Sequence, residues 1–137
     1  RIATDSEEQT RLLQQFETFF DSVVAFAQQK PLNIVGYEAV QEEIAENVGQ
    51  GREYQKQFMS LMLRMLRNVL MQNTRHPDML KVTHKEQSVI AKYQGVLQLK
   101  QISTMTELCN KAMYHIARNG NSTLVLTDLY FQLAKSF

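Results

Sequence analysis

The sequence is poor in the residues that interrupt regular structure. Its 137 residues include only 5 Gly and 2 Pro, and no Trp. So few turn-forming residues argue against a sandwich or barrel with many short strands. The one cysteine, Cys109, cannot form an internal disulfide, and nothing else indicates an oxidising compartment. We therefore expect an intracellular, cytoplasmic protein, and nothing in the sequence excludes the nucleus.

No hydrophobic run is long enough to cross a membrane. A spanning helix needs about 20 apolar residues. The strongest run, residues 58–71, is shorter and contains Arg64 and Arg67. We therefore expect no membrane span.

The sequence also has none of the motifs that carry common chemistries. It lacks a phosphate-binding glycine loop, a nucleophile elbow and the HExxH and CxxC spacings of metal sites. The histidines His76, His84 and His115 are scattered, and Cys109 falls on the apolar side of a predicted helix, where a thiol is inert. We expect a protein that is not an enzyme and that has no cofactor and no metal site, with His115 partly buried.

Helical periodicity, in contrast, runs along most of the chain. Apolar residues at i, i+3 and i+4 spacing predict helices over residues 5–30, 37–48, 52–73, 84–103, 105–120 and 122–137. The spacing of Thr104 and Glu107 resembles a capping box and favours a break between two helices near residues 103–108. Gly95 is then predicted to lie inside the first of these helices. The alternative, one long helix over residues 84–118, stays open.

Local signals also predict where the later helices begin and end. Thr83 and Glu86 have the spacing of a capping box, Asn119-Gly120 favours the end of a helix, and Ser122 or Thr123 is the predicted cap of the last helix. The side chains of that helix predicted to face inward are Leu126, Leu129, Tyr130, Leu133 and Phe137.

We interpret this pattern as an all-α fold. The predicted architecture is a single-domain antiparallel bundle of five to six helices over residues 1–137, because the connections are short. The alternative is a fragment of a helical-repeat array, although the unequal helix lengths argue against it. The chain begins with Arg1 rather than Met, so we expect it to be a domain of a longer protein.

Residues 52–73 are predicted to form the central helix. Apolar side chains fill more than half of its circumference, as is typical of a helix surrounded by others. Its remaining arc holds polar residues and one methionine: Glu53, Lys56, Gln57, Ser60, Arg64, Arg67, Asn68 and Met71. Four methionines in this helix favour core filling, with an adaptable partner-binding groove as the alternative.

Charge is distributed unevenly along the chain. Residues 1–50 hold nine acidic and three basic residues, a net charge of −6, whereas residues 51–137 hold five and twelve, a net charge of +7. We favour packing of the acidic half beside the basic half. The alternative is a basic surface for phosphates or another acidic partner. Its candidate residues are Arg52, Lys56, Arg64, Arg67, Arg75, Lys81, Lys85 and Lys92.

These observations rank the functions. The first hypothesis is a helical protein-protein interaction domain, an adaptor or scaffold whose partner is another protein or a second copy of the chain. The second is a nucleic-acid-binding accessory domain that uses the basic residues between positions 52 and 92. No aromatic residues alternate with those bases in the way that single-strand binding favours, which weakens the second hypothesis.

Overall fold

A computed structural model of the protein describes residues 5–28, 34–73 and 84–137. These residues form helices and turns, with no strand among them. The helices are α1 (Asp5–Gln28), α2 (Ile34–Gly49), α3 (Arg52–Asn73), α4 (His84–Gln94), α5 (Leu99–Ala117) and α6 (Ser122–Lys135). The predicted all-helical bundle is confirmed.

Helix α3 lies at the centre of the bundle, as predicted. It packs against α1, α2, α4 and α5, and a single cluster of buried apolar residues includes members of all six helices. Phe58, Met59, Met62, Met65 and Leu66 of α3 are almost completely buried in that cluster. The burial of each such side chain stabilises the fold by roughly 1.5–3 kcal/mol.

The order of contacts gives the relative directions of α3 and α5. The Arg52 side chain, at the start of α3, is bonded to the Ile116 carbonyl near the end of α5. Further along α3, Met62 contacts Cys109, which lies earlier in α5. The two helices therefore run antiparallel.

Helix α4 runs in the same direction as α3. Arg64 pairs with Glu86 near the start of α4, and Asn73 at the end of α3 donates to the carbonyl of Leu97, just after α4. The predicted antiparallel order therefore does not extend to this pair of helices. The predicted cap Thr83 lies outside the described residues.

The break between α4 and α5 lies at residues 95–98, not near residues 103–108 as predicted. Gly95 lies in the turn, and Thr104 lies within α5, where its hydroxyl donates to the Lys100 carbonyl. The Asn73 side chain, on α3, stabilises the break by donating to the Leu97 carbonyl. At the start of α5, the Gln101 side chain accepts a hydrogen bond from the Gln98 N–H at 2.9 Å. The sequence between residues 84 and 118 therefore forms two helices.

Asn68 and Phe137 are among the side chains whose burial differs from the prediction. Asn68, expected on the wet arc of α3, is only 1% exposed, whereas Phe137, expected to face inward, is 38% exposed. Asn68 is buried because neighbouring helices surround α3 on most sides. Phe137 follows the last helix and lies at its open end.

The end of α5 follows the prediction from the Asn119-Gly120 pair. Asn119 has a φ of 63°, in the left-handed region that Asn and Gly adopt most readily. Gly120 then donates its N–H to the His115 carbonyl at 2.8 Å. Asn121, rather than the predicted Ser122 or Thr123, caps α6 by accepting from the Leu124 N–H at 3.2 Å.

We predict that Gly120→Ala destabilises the protein. A Cβ atom at position 120 would lie 2.8 Å from the His115 carbonyl oxygen, so the turn between α5 and α6 would have to shift. We expect a loss of about 1–3 kcal/mol in the free energy of unfolding, measured by urea denaturation.

Gly95→Ala is the matched control. Nothing lies within 4 Å of a Cβ atom at position 95, and Gly95 does not have a positive φ. We expect it to leave stability unchanged or to raise it by up to about 1 kcal/mol. Equal losses in the two variants would contradict the close approach at Gly120.

Candidate functional site

The basic series predicted from the sequence is only partly described. Arg75 and Lys81 lie outside the described residues. The described members occupy α3 and α4: Arg52, Lys56, Arg64, Arg67, Lys85 and Lys92. Their contacts separate them into three groups.

Arg52 is directed into the turn between α5 and α6. Its guanidinium donates to the carbonyl oxygens of Ile116 at 3.0 Å and Gly120 at 3.2 Å, and lies 3.5 Å from the Ser122 hydroxyl. The Ser122 hydroxyl also bonds to Gln55 on the next turn of α3. Arg52 therefore satisfies carbonyls at the end of α5 and holds the start of α3 against this turn.

Lys92 and Lys85 extend from α4 towards α1. The Lys92 ammonium lies 2.6 Å from Asp21 and 3.0 Å from Glu17, and the hydrogen bond to Asp21 is the main cause that raises its pKa. The neighbouring Tyr93 hydroxyl donates to Asp21 at 2.6 Å, and burial raises the pKa of that phenol. At this point the acidic half packs beside the basic half, as the sequence predicts.

Lys56 and Arg64 are the two members of the series that line one groove. This α1–α3 groove encloses about 500 Å³. Its lining combines charged, polar and leucine side chains: Glu8, Gln9, Leu12, Lys56, Gln57, Ser60, Leu61 and Arg64. Arg64 pairs with buried Glu86, Lys56 lies 3.4 Å from Glu53, and Arg67 is exposed one turn after Arg64.

The six described members of the series therefore do not lie together in one groove. Arg52 faces the α5–α6 turn, Lys85 and Lys92 face α1, and only Lys56 and Arg64 share a groove. Most of these cations already contact acids, carbonyls or hydroxyls of the same chain, which reduces the charge that they offer to an external phosphate.

Three of the four methionines of α3 fill the core, whereas Met71, near the end of the helix, is half-buried. Met59, Met62 and Met65 are at most 1% exposed, and Met105 of α5 is also completely buried. These side chains therefore line no partner-binding surface, in agreement with the favoured prediction of core filling.

Cys109 is a buried thiol that donates to the Met62 sulfur, 3.2 Å away. Burial raises its pKa to about 12, so the reactive thiolate is scarce at neutral pH. His115, predicted to be partly buried, is exposed on α5. Among the described residues, no three His, Cys, Asp or Glu side chains are grouped as a metal site requires.

A second groove, which the sequence did not indicate, lies between α5 and α6. This α5–α6 groove encloses about 560 Å³. Its members are Leu108, Lys111, Ala112, His115, Gly120, Asn121, Leu124, Val125, Asp128, Leu129 and Gln132. Leu124 is 67% exposed, the largest exposed fraction of any large apolar side chain in the described chain.

The excess of apolar residues in α6 was the available signal for this groove. Leu126, Leu129, Tyr130 and Leu133 are buried, as predicted. The same helix also contains Leu124, which a single inward face cannot accommodate. A single exposed leucine is common on protein surfaces, but Leu124 lies in the lining of a groove and adds to its apolar surface.

Comparison of the chain with protein-family models, with curated proteins and with solved structures finds no match. The geometry of the chain itself therefore carries the functional argument. In the described ranges, no helix combines the length and the apolar character that a membrane crossing requires.

We predict that Arg52 stabilises the fold more than it contributes to binding. Arg52→Ala leaves the carbonyls of Ile116 and Gly120 without this donor, which costs about 1–3 kcal/mol in the free energy of unfolding. Urea denaturation measures the loss.

Arg67→Ala is the control for Arg52→Ala, because it removes the same charge from an exposed position on the same helix. We expect it to change stability by no more than about 0.5 kcal/mol. If Arg52→Ala is equally mild, the contacts of Arg52 do not support the turn.

Proposed function

We propose that the protein is a non-enzymatic interaction domain, an adaptor or scaffold that binds another protein through the α5–α6 groove. The observation that carries this proposal is the exposed Leu124 beside a groove of about 560 Å³ with a largely apolar floor. Exposed apolar residues that line a concave surface are typical of protein-binding sites. The domain would act inside the cell, as its single cysteine leads us to expect.

The internal pairing of the basic series supports this order of hypotheses. Arg52 is used by backbone carbonyls, while Arg64 and Lys92 already contact carboxylates. A nucleic-acid site gains its affinity from cations that are available to phosphates. The α5–α6 groove, in contrast, contains Leu124, whose side chain is mostly exposed among the described residues.

We predict that a photo-crosslinking amino acid at position 124 captures one defined protein in the cells that make this chain. The same amino acid at position 42, on the exposed face of α2, is the control for exposure and expression. The captured protein, once purified, should bind the unmodified domain, and Leu124→Ser should weaken that binding by about tenfold or more. Isothermal titration calorimetry measures the affinity.

The result that contradicts the proposal is equally specific. Adducts from position 124 that match those from position 42 would show that the groove contacts nothing in particular. Undiminished binding of the captured protein to the Leu124→Ser variant would place the interface elsewhere. Circular dichroism confirms that the variant remains folded, which we expect because Leu124 is mostly exposed.

A nucleic-acid-binding domain remains the second candidate. The observation in its favour is that Lys56 and Arg64 line the α1–α3 groove while Arg67 is exposed nearby. Glu8 lies in the same groove, and Glu86 already pairs with Arg64. These carboxylates oppose phosphate binding, which is why we rank this candidate second.

We predict the behaviour that this second function requires in a titration with labelled DNA and RNA, single- and double-stranded. Two phosphate contacts would weaken binding about tenfold between 50 and 200 mM salt. Combined Lys56→Glu and Arg67→Glu should abolish binding, and these changes leave the Arg64 pair with buried Glu86 intact.

Combined Lys100→Glu and Lys135→Glu is the matched control for the nucleic-acid titration. It makes the same change in net charge at exposed positions on α5 and α6, outside the α1–α3 groove. Binding that falls equally in both double variants would be non-specific attraction. An absence of binding at low salt removes this candidate.

A further inference from the structure

We infer that the occupant of the α5–α6 groove is a short amphipathic helix of a partner protein, with acidic residues along one side of its apolar stripe and basic residues along the other. This inference rests on the proposed function and adds the chemistry of the partner. Two features of the groove specify it: an apolar floor between two helices and walls of opposite charge.

The floor of the groove accepts apolar side chains. Ala112 and Leu129 form its buried part, Leu108 and Val125 are half-buried, and Leu124 is the most exposed. The lining on α5 extends over residues 108–115, which corresponds to two turns at 3.6 residues per turn, or about 10 Å. A partner helix would therefore insert apolar residues at i, i+3 or i+4, and i+7.

The two walls carry opposite charge. On α5, Lys111 and His115 lie one turn apart, and on α6, Asp128 and Gln132 lie one turn apart. Gln132 donates to Asp128 at 3.5 Å, but in the described part of the chain neither Lys111 nor Asp128 forms an ion pair. This differs from Lys92 and Arg64, whose charges are already matched within the fold.

A partner helix on this floor would place its two flanks against the two walls. The flank facing α5 meets Lys111 and His115, which favours Asp or Glu, and the flank facing α6 meets Asp128, which favours Lys or Arg. A helix with two acidic flanks would be repelled by Asp128, and one with two basic flanks would be repelled by Lys111. The charge layout thus selects a helix whose flanks have opposite signs.

The test uses three labelled helical peptides with the same leucine stripe. The first has one acidic and one basic flank, the second has two acidic flanks and the third has two basic flanks. We expect the first peptide to bind the full chain most tightly, with roughly micromolar affinity because the contact is short. The expected preference over the other two is roughly two- to tenfold in fluorescence anisotropy at low salt, falling as salt rises.

Variants of the protein assign the preference to the groove. Lys111→Glu makes both walls acidic, so the tightest binder should become the peptide with two basic flanks. Lys100→Glu makes the same charge change outside the groove and should leave the order of the three peptides unchanged. Leu124→Ser should weaken the binding of all three peptides by about tenfold or more, because it removes exposed apolar surface from the lining of the groove.

Each outcome decides the inference. The mixed-charge preference together with its change in Lys111→Glu supports it. Equal binding of all three peptides, lost in Leu124→Ser, overturns the charge selection but leaves the groove as a docking site, so the proposed function survives. If none of the peptides binds, or if Leu124→Ser binds them as well as the native chain does, the helical occupant is wrong.

Discussion

Three of the four phenylalanines of α1, Phe16, Phe19 and Phe20, hold the bundle together. Phe19 packs edge to face against Phe58 of α3, 5.7 Å away, and against Tyr130 of α6, 5.8 Å away. Phe16 and Phe20 both contact the ring of Tyr93 in α4, with ring centroids 6.2 Å and 4.9 Å from it. Each aromatic pair contributes about 0.5–1.5 kcal/mol beyond the area that it buries. Through these contacts α3, α4 and α6, which lie later in the sequence than α1, are fixed against α1.

Polar contacts between helices fix their relative positions in addition to the apolar packing. The Tyr93 hydroxyl donates to Asp21 beside the aromatic cluster, Lys92 pairs with the same carboxylate, and Arg52 connects α3 to the α5–α6 turn. The cations of α3 and α4 thus mostly order the helices around α1 and α3. Lys111 and Asp128, by contrast, form no ion pair in the described part of the chain, and both line the α5–α6 groove to which we propose that a partner binds.

Local patterns in the sequence predicted most of the fold. The spacing of apolar residues gave the bounds of α3 and its central position, and Asn119-Gly120 predicted the end of α5. The α4–α5 break was misplaced because it depends on Asn73, a distant residue whose side chain bonds to the Leu97 carbonyl. The site was harder to predict for the same reason. Whether a lysine forms an ion pair within the fold or can bind a partner depends on residues far away in the sequence. Lys92, for example, pairs with Asp21, which is 71 residues away.

The distances along the chain also affect how this protein is made. The Tyr130 hydroxyl bonds to the Ser22 carbonyl across 108 residues, and Phe19 needs that same tyrosine as a neighbour. At roughly 5–20 residues per second, synthesis takes about 5–20 s to reach α6 after α1 has been made. During that interval the newly made α1 presents phenylalanine side chains whose final cover does not yet exist, and chaperones that bind exposed aromatic segments have time to engage it.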